Sequence, residues 1–333
     1  MLIGCGHIGQ RHAQLISELA HLCGVCDLEE TRANNFGNQY DVPYFTDHLD
    51  LLQSVEADAV AVCTPNGLHA RHSISALEKG LHVLCEKPMA LSGKDCREII
   101  ASAETNRRLF YVVKQNRYNP PVIYLRKLLG EGLLGRVYSI QVNCYWNRDR
   151  SYYQSRWKGT KSMDGGVLFT QFSHFIDILF WLFGNVNTIK SVSKNSGHQN
   201  ITEFDDNGIV ALEFENGTLG GIHYTTNAAV SNMEGSLTVF AEKGTLKIGG
   251  KYLNTIEYHQ IPGLPLPQLG TANPANHYGT YEGSMGNHGE VYRQFIHQLN
   301  SGHWQSNSLD ALRTVEIIER IHLNSVINPA VQS

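Results

Sequence analysis
Two stretches of the sequence carry side chains able to hold or move a proton. In HVLCEKPMA, Lys87 stands between Glu86 and Pro88 at the end of strand-like text; in DGGVLFTQFSHFIDIL the candidate is His174. A neutral imidazole takes a proton near pH 7. Lysine is a poor base unless its pKa falls, but as a cation it holds a hydroxyl and stabilises developing oxyanion charge. Thr170, His174, Asp177 and Trp181 recur at helical spacing on one face, and Leu168, Phe172, Phe175, Leu179 and Phe183 fall opposite. A polar stripe facing away from an apolar one needs a polar destination; the plainer alternative is a core histidine satisfied by backbone.

A third stretch is made to hold phosphate. Gly4, Gly6, His7, Ile8 and Gly9 spell G-x-G-x-x-G after a strand and at the opening of a helix. Glycines let the backbone approach a pyrophosphate, and the helix start supplies oriented N–H groups. Asp27 follows at about the twenty-residue interval of the dinucleotide fingerprint, where a carboxylate accepts from the ribose hydroxyls. A 2′-phosphate would meet Asp27 with Glu29 and Glu30 close behind, which favours NAD over NADP. Thr64 and Asn66, in CTPNGLHARH, reach the carboxyl edge of the sheet, where such folds bind ligands. Asn66 either contacts the cofactor or caps a helix. His69 joins Thr64, Asn66, Glu86, Lys87 and Gln115 as a cofactor candidate, although it and His72 also read as one helix face.

The elements that position these groups follow from periodicity. Short apolar runs at 1–5, 22–27, 58–64, 81–86 and 109–114 alternate with helical spacing, and Leu91-Ser92-Gly93-Lys94-Asp95 is a capping box. This grammar predicts an α/β Rossmann domain with a parallel, doubly wound sheet over residues 1–117. From about 118 the pattern changes to a helix (120–131), a long strand in GRVYSIQVNCYWN, a helix near 167–184, and hairpins at Asn216-Gly217 and Lys243-Gly244. Residues 263–279 read as an irregular loop, and helices close the chain near 287–301 and 308–324. Residues 118–333 are therefore expected to form an α+β domain with a mainly antiparallel open sheet, its last helix free to pack back on the first domain.

Composition narrows the classes. The chain has 333 residues, 42% of them hydrophobic, and a formal charge of −4, so no basic surface points to nucleic acid. Its most apolar stretch is interrupted by Thr170, Gln171, His174 and Asp177, which argues for a core helix rather than a membrane span. No signal peptide is visible. Most of the seven cysteines sit in apolar text. The Cys23–Cys26 pair leads into Asp27 rather than opening a helix, so a redox or metal role is not expected, and a reducing cytoplasm is.

Together the glycine turn, TPNGLH, EKPMA and DGGVLFTQFSHFIDIL resemble the glucose–fructose oxidoreductase/inositol dehydrogenase (Gfo/Idh/MocA) family. The resemblance implies an NAD-dependent oxidoreductase acting on a CH–OH group, with Lys87 beside the nicotinamide and His174 facing it. His174 is assigned as base and Lys87 as electrostatic partner, the reverse remaining open. Sugar and inositol dehydrogenases of this group often carry Asp at the position of Thr170. A threonine orients substrate but cannot anchor an imidazolium by charge. Asp177 either compensates or is structural.

Between Trp146 and Lys161 five cations (Arg148, Arg150, Arg156, Lys158, Lys161) meet a single acid, with Trp146, Tyr152, Tyr153 and Trp157 interleaved. Cations suit phosphate or carboxylate and aromatics suit a sugar or base face; the alternative is a loop packing its aromatics on the sheet. This passage, with QNRYNPP and YEGSMGNHGEVYRQF, resembles the UDP-N-acetyl-2-amino-2-deoxyglucuronate dehydrogenases. Those enzymes oxidise the sugar C3 hydroxyl in O-antigen synthesis and can recycle NADH with 2-oxoglutarate. The resemblance places Asn116, Arg117, Arg156, Trp157 and Lys158, together with Thr170 and His174, at the substrate, and favours a homodimer or homotetramer. Ser284, Asn287 and His288 are candidates for closing over it. Two other readings stand beside this one: a dehydrogenase of a free sugar or inositol, and an NAD-binding regulator without catalysis.

Overall fold
The structure is a computed structural model that describes residues 1–270, 273–277 and 282–325. Four residues of the expected 263–279 loop (271, 272, 278 and 279) lie outside the described residues. The chain divides into two compact units, Met1–Lys114 with His288–Val315, and Gln115–Asn287 with Glu316–Ser333.

The first unit alternates strand and helix: β1 (Leu2–Ile3), α1 (His7–Leu19), β2 (Val25–Cys26), α2 (Glu30–Tyr40), β3 (Tyr44–Phe45), α3 (His48–Ser54), β4 (Ala59–Val62), α4 (His69–Glu78), β5 (His82–Cys85), α5 (Gly93–Thr105) and β6 (Phe110–Val112). All the sheet pairings are parallel, in the order β3-β2-β1-β4-β5-β6, so the chain reverses direction across the sheet between β1 and β4. The inner strands β1, β2, β4 and β5 are built mainly of buried Val, Leu, Ile, Ala and Cys residues, whereas the edge strand β3 is partly exposed. Strand β3 escaped the sequence reading, being two residues long. The Ser92 cap of α5 forms: Ser92 Oγ accepts the Asp95 N–H at 3.0 Å, one of the two bonds of the expected capping box.

The second unit contains α6 (Pro120–Gly130), β7 (Val137–Tyr145), α7 (Val167–Thr170), α8 (Ser173–Phe183), β8 (Val186–Lys194), β9 (Asn207–Phe214), β10 (Leu219–Thr225), β11 (Glu234–Ala241), β12 (Gly244–Gly249), β13 (Thr255–Gln260), β14 (Ala275–His277) and β15 (Glu282–Met285). Its main sheet runs β13-β12-β11-β7-β10-β9-β8 and is antiparallel except where β7 meets β10. Both expected hairpins, β9–β10 and β11–β12, are present. Along β7, Ile140, Val142 and Cys144 turn inward. Phe172, Phe175 and Phe183 bring α7 and α8 onto that inner face against Trp146, Tyr224 and Phe214.

Two expected elements are corrected: within the expected irregular loop 263–279, Ala275–His277 form strand β14, paired with β15. The helix near 167–184 is two helices, interrupted at Gln171 and Phe172, where Phe172 leaves the helical path and its ring lies against Trp146 and Tyr224. Thr170 therefore ends α7 while His174 stands in the first turn of α8. The chain continues as α9 (His288–Ser301) and α10 (Ser308–Leu323), and α9 packs on α1 within the first unit. No helix among the described residues is long and apolar enough to cross a membrane.

Candidate active site
In the first unit the glycine turn meets three separate demands. Gly4 has φ +102°, and a Cβ there would fall 2.5 Å from the Cys63 carbonyl oxygen. A Cβ on Gly9 would lie 2.0 Å from the Gly4 carbonyl oxygen, so this glycine lets α1 start close to β1. A Cβ on Gly6 would meet nothing within 4 Å, so its surroundings leave room for a phosphate. His7 begins α1 in an exposed position, with Ile8 beside it. At the end of β2, Asp27 takes the Cys5 N–H on Oδ2 at 2.8 Å and the Glu29 N–H on Oδ1 at 2.9 Å. The carboxylate is thus fixed with lone pairs left to accept ribose hydroxyls. These residues fit a dinucleotide.

Next along the sheet edge, the Thr64 hydroxyl is 3.1 Å from His72 Nδ1, and Asn66 is buried in a turn ahead of α4. His69 opens α4. Its Nδ1 lies 2.6 Å from the Pro88 carbonyl and its Nε2 2.8 Å from the Thr64 carbonyl. Each ring nitrogen faces a backbone carbonyl, so His69 stands between two loops at the sheet edge. Burial pulls its pKa down against those two carbonyls.

Glu86 is also an interior residue. Its Oε1 is 2.9 Å from His12 Nε2 and 3.3 Å from His288 Nε2, and its Oε2 accepts the Lys87 N–H at 3.0 Å. Burial pushes its pKa up, but the two imidazoles outweigh that and hold the carboxyl well below its usual range. Lys87 follows, partly exposed. His288, expected to close over substrate, is in fact 1% exposed beside Glu86. Nothing in the spacing announced a His12–Glu86–His288 trio, because its members are 74 and 202 residues apart along the chain.

In the second unit His174 stands in a polar cluster. Gln115 Nε2 lies 3.2 Å from His174 Nε2 and donates to Ser284 Oγ at 2.9 Å; Ser284 Oγ is 3.3 Å from the same ring nitrogen. In the tautomer with its proton on Nδ1, Nε2 is an acceptor, the form in which histidine takes a proton. Asn287 donates to the Gln115 carbonyl at 3.4 Å and to Asn119 Oδ1 at 2.7 Å, holding the turn that carries Gln115. Four neighbours in sequence to these groups have buried polar atoms without a hydrogen-bond partner among the described residues: Gln115 Oε1, both amide atoms of Asn116, Gln171 Oε1 and Ser173 Oγ. Buried orphans of this kind collect where a polar ligand completes the bonding.

Thr170 has a partner that sequence reasoning missed. Its hydroxyl donates to the carboxylate of Asp164, a fully buried residue whose Oδ2 also accepts the Gly159 N–H at 2.8 Å. A buried acid six residues upstream thus bonds the side chain at position 170. The only sequence signal was an acid directly before the glycine pair of DGG.

Arg117 has a partner on α8. It makes a two-point ion pair with Asp177, both bonds at 2.8 Å, and lies over the Trp181 ring. This answers the open question about Asp177, which supports α8 through Arg117. The cationic strip also divides. Trp146, Arg148, Tyr152 and Tyr153 are buried, and Arg148 sits against the Trp146 and Tyr152 rings. That half is packing. Arg156 is exposed and Trp157 partly so. Lys158 lies 3.6 Å from the Tyr152 ring centre and 5.9 Å from that of Trp157. Burial, then the nearby Arg148, lowers its pKa to about 8.

The profile described as "Oxidoreductase family, NAD-binding Rossmann fold" matches residues 1–114, and that of the GFO/IDH/MocA C-terminal domain matches residues 122–247. The chain belongs to the Gfo/Idh/MocA family. It is an oxidoreductase with an NAD-binding Rossmann domain followed by the family's mixed-sheet domain. Among solved family structures, the chain is 29% identical to the WlbA dehydrogenase from Chromobacterium violaceum, held with NADH and UDP-GlcNAcA, with TM-score 0.87 over 97% of this chain and 92% of that one. For the WlbA dehydrogenase from Bordetella pertussis, held with the same two molecules, the values are 28%, 0.86, 97% and 95%. Among curated Gfo/Idh/MocA-type relatives, inositol 2-dehydrogenase 2 from Saccharopolyspora erythraea is 25% identical over 273 residues, 80% of this chain and 77% of its own.

Proposed function
We propose that this sugar dehydrogenase acts on a nucleotide sugar, oxidising the C3 hydroxyl of a UDP-N-acetylglucosaminuronic acid type of substrate in bacterial surface-polysaccharide synthesis. The observation that carries this reading is the likeness, over 97% of the chain, to two dehydrogenases held with NADH and UDP-GlcNAcA. Within the reading, NAD accepts the hydride. His174 Nε2 takes the hydroxyl proton, the Lys87 ammonium holds the alcohol oxygen as negative charge develops, and Thr170 orients substrate. With its own proton committed to Asp164, Thr170 can only accept from an incoming hydroxyl. Arg156, Trp157 and Lys158 serve the anionic part of the substrate, and Asn116 a polar group. A cytoplasmic setting goes with this chemistry, and 2-oxoglutarate is the proposed acceptor if NADH is recycled in place.

The outer sheet face is the proposed oligomer surface for a homodimer or homotetramer. Val192, Ile209, His223 and Asn143 pair across it in one row, with Val192 and Ile209 each 61% exposed.

The inward turn of Arg148 favours a second reading, a free sugar or inositol as substrate, because one of the strip's five cations is already held against aromatic rings. Substrate affinity against pH separates the two. Protonated Lys158 attracts an anion and its pKa is about 8. The KM for UDP-GlcNAcA is expected to rise as pH passes from 7 to 9, and Lys158→Arg, which stays charged, is expected to flatten that rise. A pH-independent KM, unchanged in the arginine variant, would favour the uncharged substrate.

A further inference from the structure
An ionised carboxylate inside a parallel sheet is costly unless its oxygens are met by donors. Glu86, 5% exposed, is met on both. Oε1 faces His12 and His288, and Oε2 holds the backbone N–H of Lys87. Behind His12, the Tyr292 hydroxyl lies 2.7 Å from Nδ1. When Tyr292 donates to Nδ1, the imidazole keeps its proton on Nε2 and donates it to Glu86. The bonds then run in one direction, from Tyr292 through His12 to the carboxylate, and polarise one another. His288 approaches the same oxygen without the alignment of a full hydrogen bond. Three elements remote in sequence, α1, the end of β5 and α9, thus converge on the residue before Lys87.

An apolar residue at position 86 would be easier to bury, so the carboxylate has a purpose other than folding the sheet. We propose that His12 and His288 are positioning residues that act through Glu86 to fix the backbone, and with it the ammonium, of Lys87. The inference rests on the catalytic role proposed for Lys87. The three donor atoms of the trio also lie within 4.8 Å of one another, as cation ligands do, but hydrogen bonding already accounts for the shorter contact.

The test compares His12→Phe, His12→Gln, His288→Phe, Tyr292→Phe and Lys87→Ala in the full chain, by NAD binding, unfolding midpoint and turnover of UDP-GlcNAcA. The two phenylalanine replacements of histidine are expected to lower kcat about tenfold or more, with the NAD dissociation constant changed by less than about threefold, the signature of a misplaced catalytic group. His12→Gln keeps an N–H near the position of Nε2 and is expected to recover most of the loss. Tyr292→Phe keeps the packing and is expected to show a smaller loss of the same kind. If the phenylalanine variants at 12 and 288 do not fold, His12→Gln and Tyr292→Phe decide: unchanged kcat in Tyr292→Phe would overturn the relay.

Folded histidine variants with normal kcat beside an inactive Lys87→Ala would overturn the positioning role and leave that of Lys87 intact. A fully active Lys87→Ala would remove the reading beneath it. Activity abolished by a chelator and restored by zinc would make the trio a metal site and overturn the inference.

Discussion
Gly6 and Gly9 separate two demands that one fingerprint makes on glycine. A methyl group on Gly9 strikes the Gly4 carbonyl, whereas one on Gly6 enters open space. Gly9→Ala is therefore expected to lower the unfolding midpoint as well as NAD affinity. Gly6→Ala is expected to keep the midpoint and lose only affinity. Calorimetry with and without NAD checks both. A second prediction concerns pH. His198 bonds Asp206 at 2.9 Å and the Arg148 carbonyl at 2.6 Å, two acceptors that together require an imidazolium. Burial lowers the His198 pKa, but Asp206 and the carbonyl outweigh it and the net direction is up; for Asp206 burial raises, His198 outweighs, and the net direction is down. A raised histidine contributes stability that is complete below its unfolded pKa of about 6.5 and is lost as pH rises through its folded value. A lowered aspartate contributes stability that is complete above about 3.9 and is lost as pH falls through its folded value. The pair is thus fully effective between those two limits. Urea midpoints are expected to fall between pH 6 and pH 9, and by less in His198→Asn; equal slopes in the two proteins would refute this. Residue-scale features were legible where they are local: the glycine turn, Asp27 and the Ser92 cap. Asp164 was not, because its link to Thr170 crosses a turn that periodicity does not describe.

At the scale of elements, α8 depends on a pairing that sequence spacing hid. Arg117 and Asp177 are 60 residues apart, and their side chains are 12% and 3% exposed. Removing one member of such a buried pair leaves the other's charge without its partner. Asp177→Asn is expected to destabilise the protein by about 3–5 kcal/mol, read as a shift in the denaturation midpoint. Replacing both, Arg117→Met with Asp177→Leu, is expected to cost much less. An Asp177→Asn midpoint equal to wild type would show that α8 does not rely on the pair. The central strands of the first sheet, β7, the two hairpins and the closing helices were readable from their periods and turns, whereas β3, β8 and β13 were not. The break between α7 and α8 was not, because Phe172 continues the apolar stripe and leaves the helix only to reach Trp146 and Tyr224. His12 and Tyr292 bond across 280 residues, so α9's place in the first unit follows from tertiary packing and not from local text.

For the whole molecule, the turn chemistry and the strand–helix alternation agree with each other and were enough to indicate an NAD-binding domain, while the oxidoreductase activity came from the family resemblance of the motifs. The substrate is less legible. The cationic strip looked uniform in sequence, yet Arg148 and three aromatic residues are packed inside while Arg150, Arg156 and Lys161 are exposed and Lys158 lies against the Tyr152 ring. The most direct measurement is product analysis by mass spectrometry after mixing the protein with NAD, 2-oxoglutarate and UDP-N-acetylglucosaminuronic acid, beside the Lys87→Ala variant. The expected result is a nucleotide sugar lighter by two hydrogens, with 2-hydroxyglutarate formed by the unmutated protein alone. An unchanged nucleotide sugar in a protein that binds NAD would contradict the substrate assignment, and turnover of a free sugar or inositol under the same conditions would replace it.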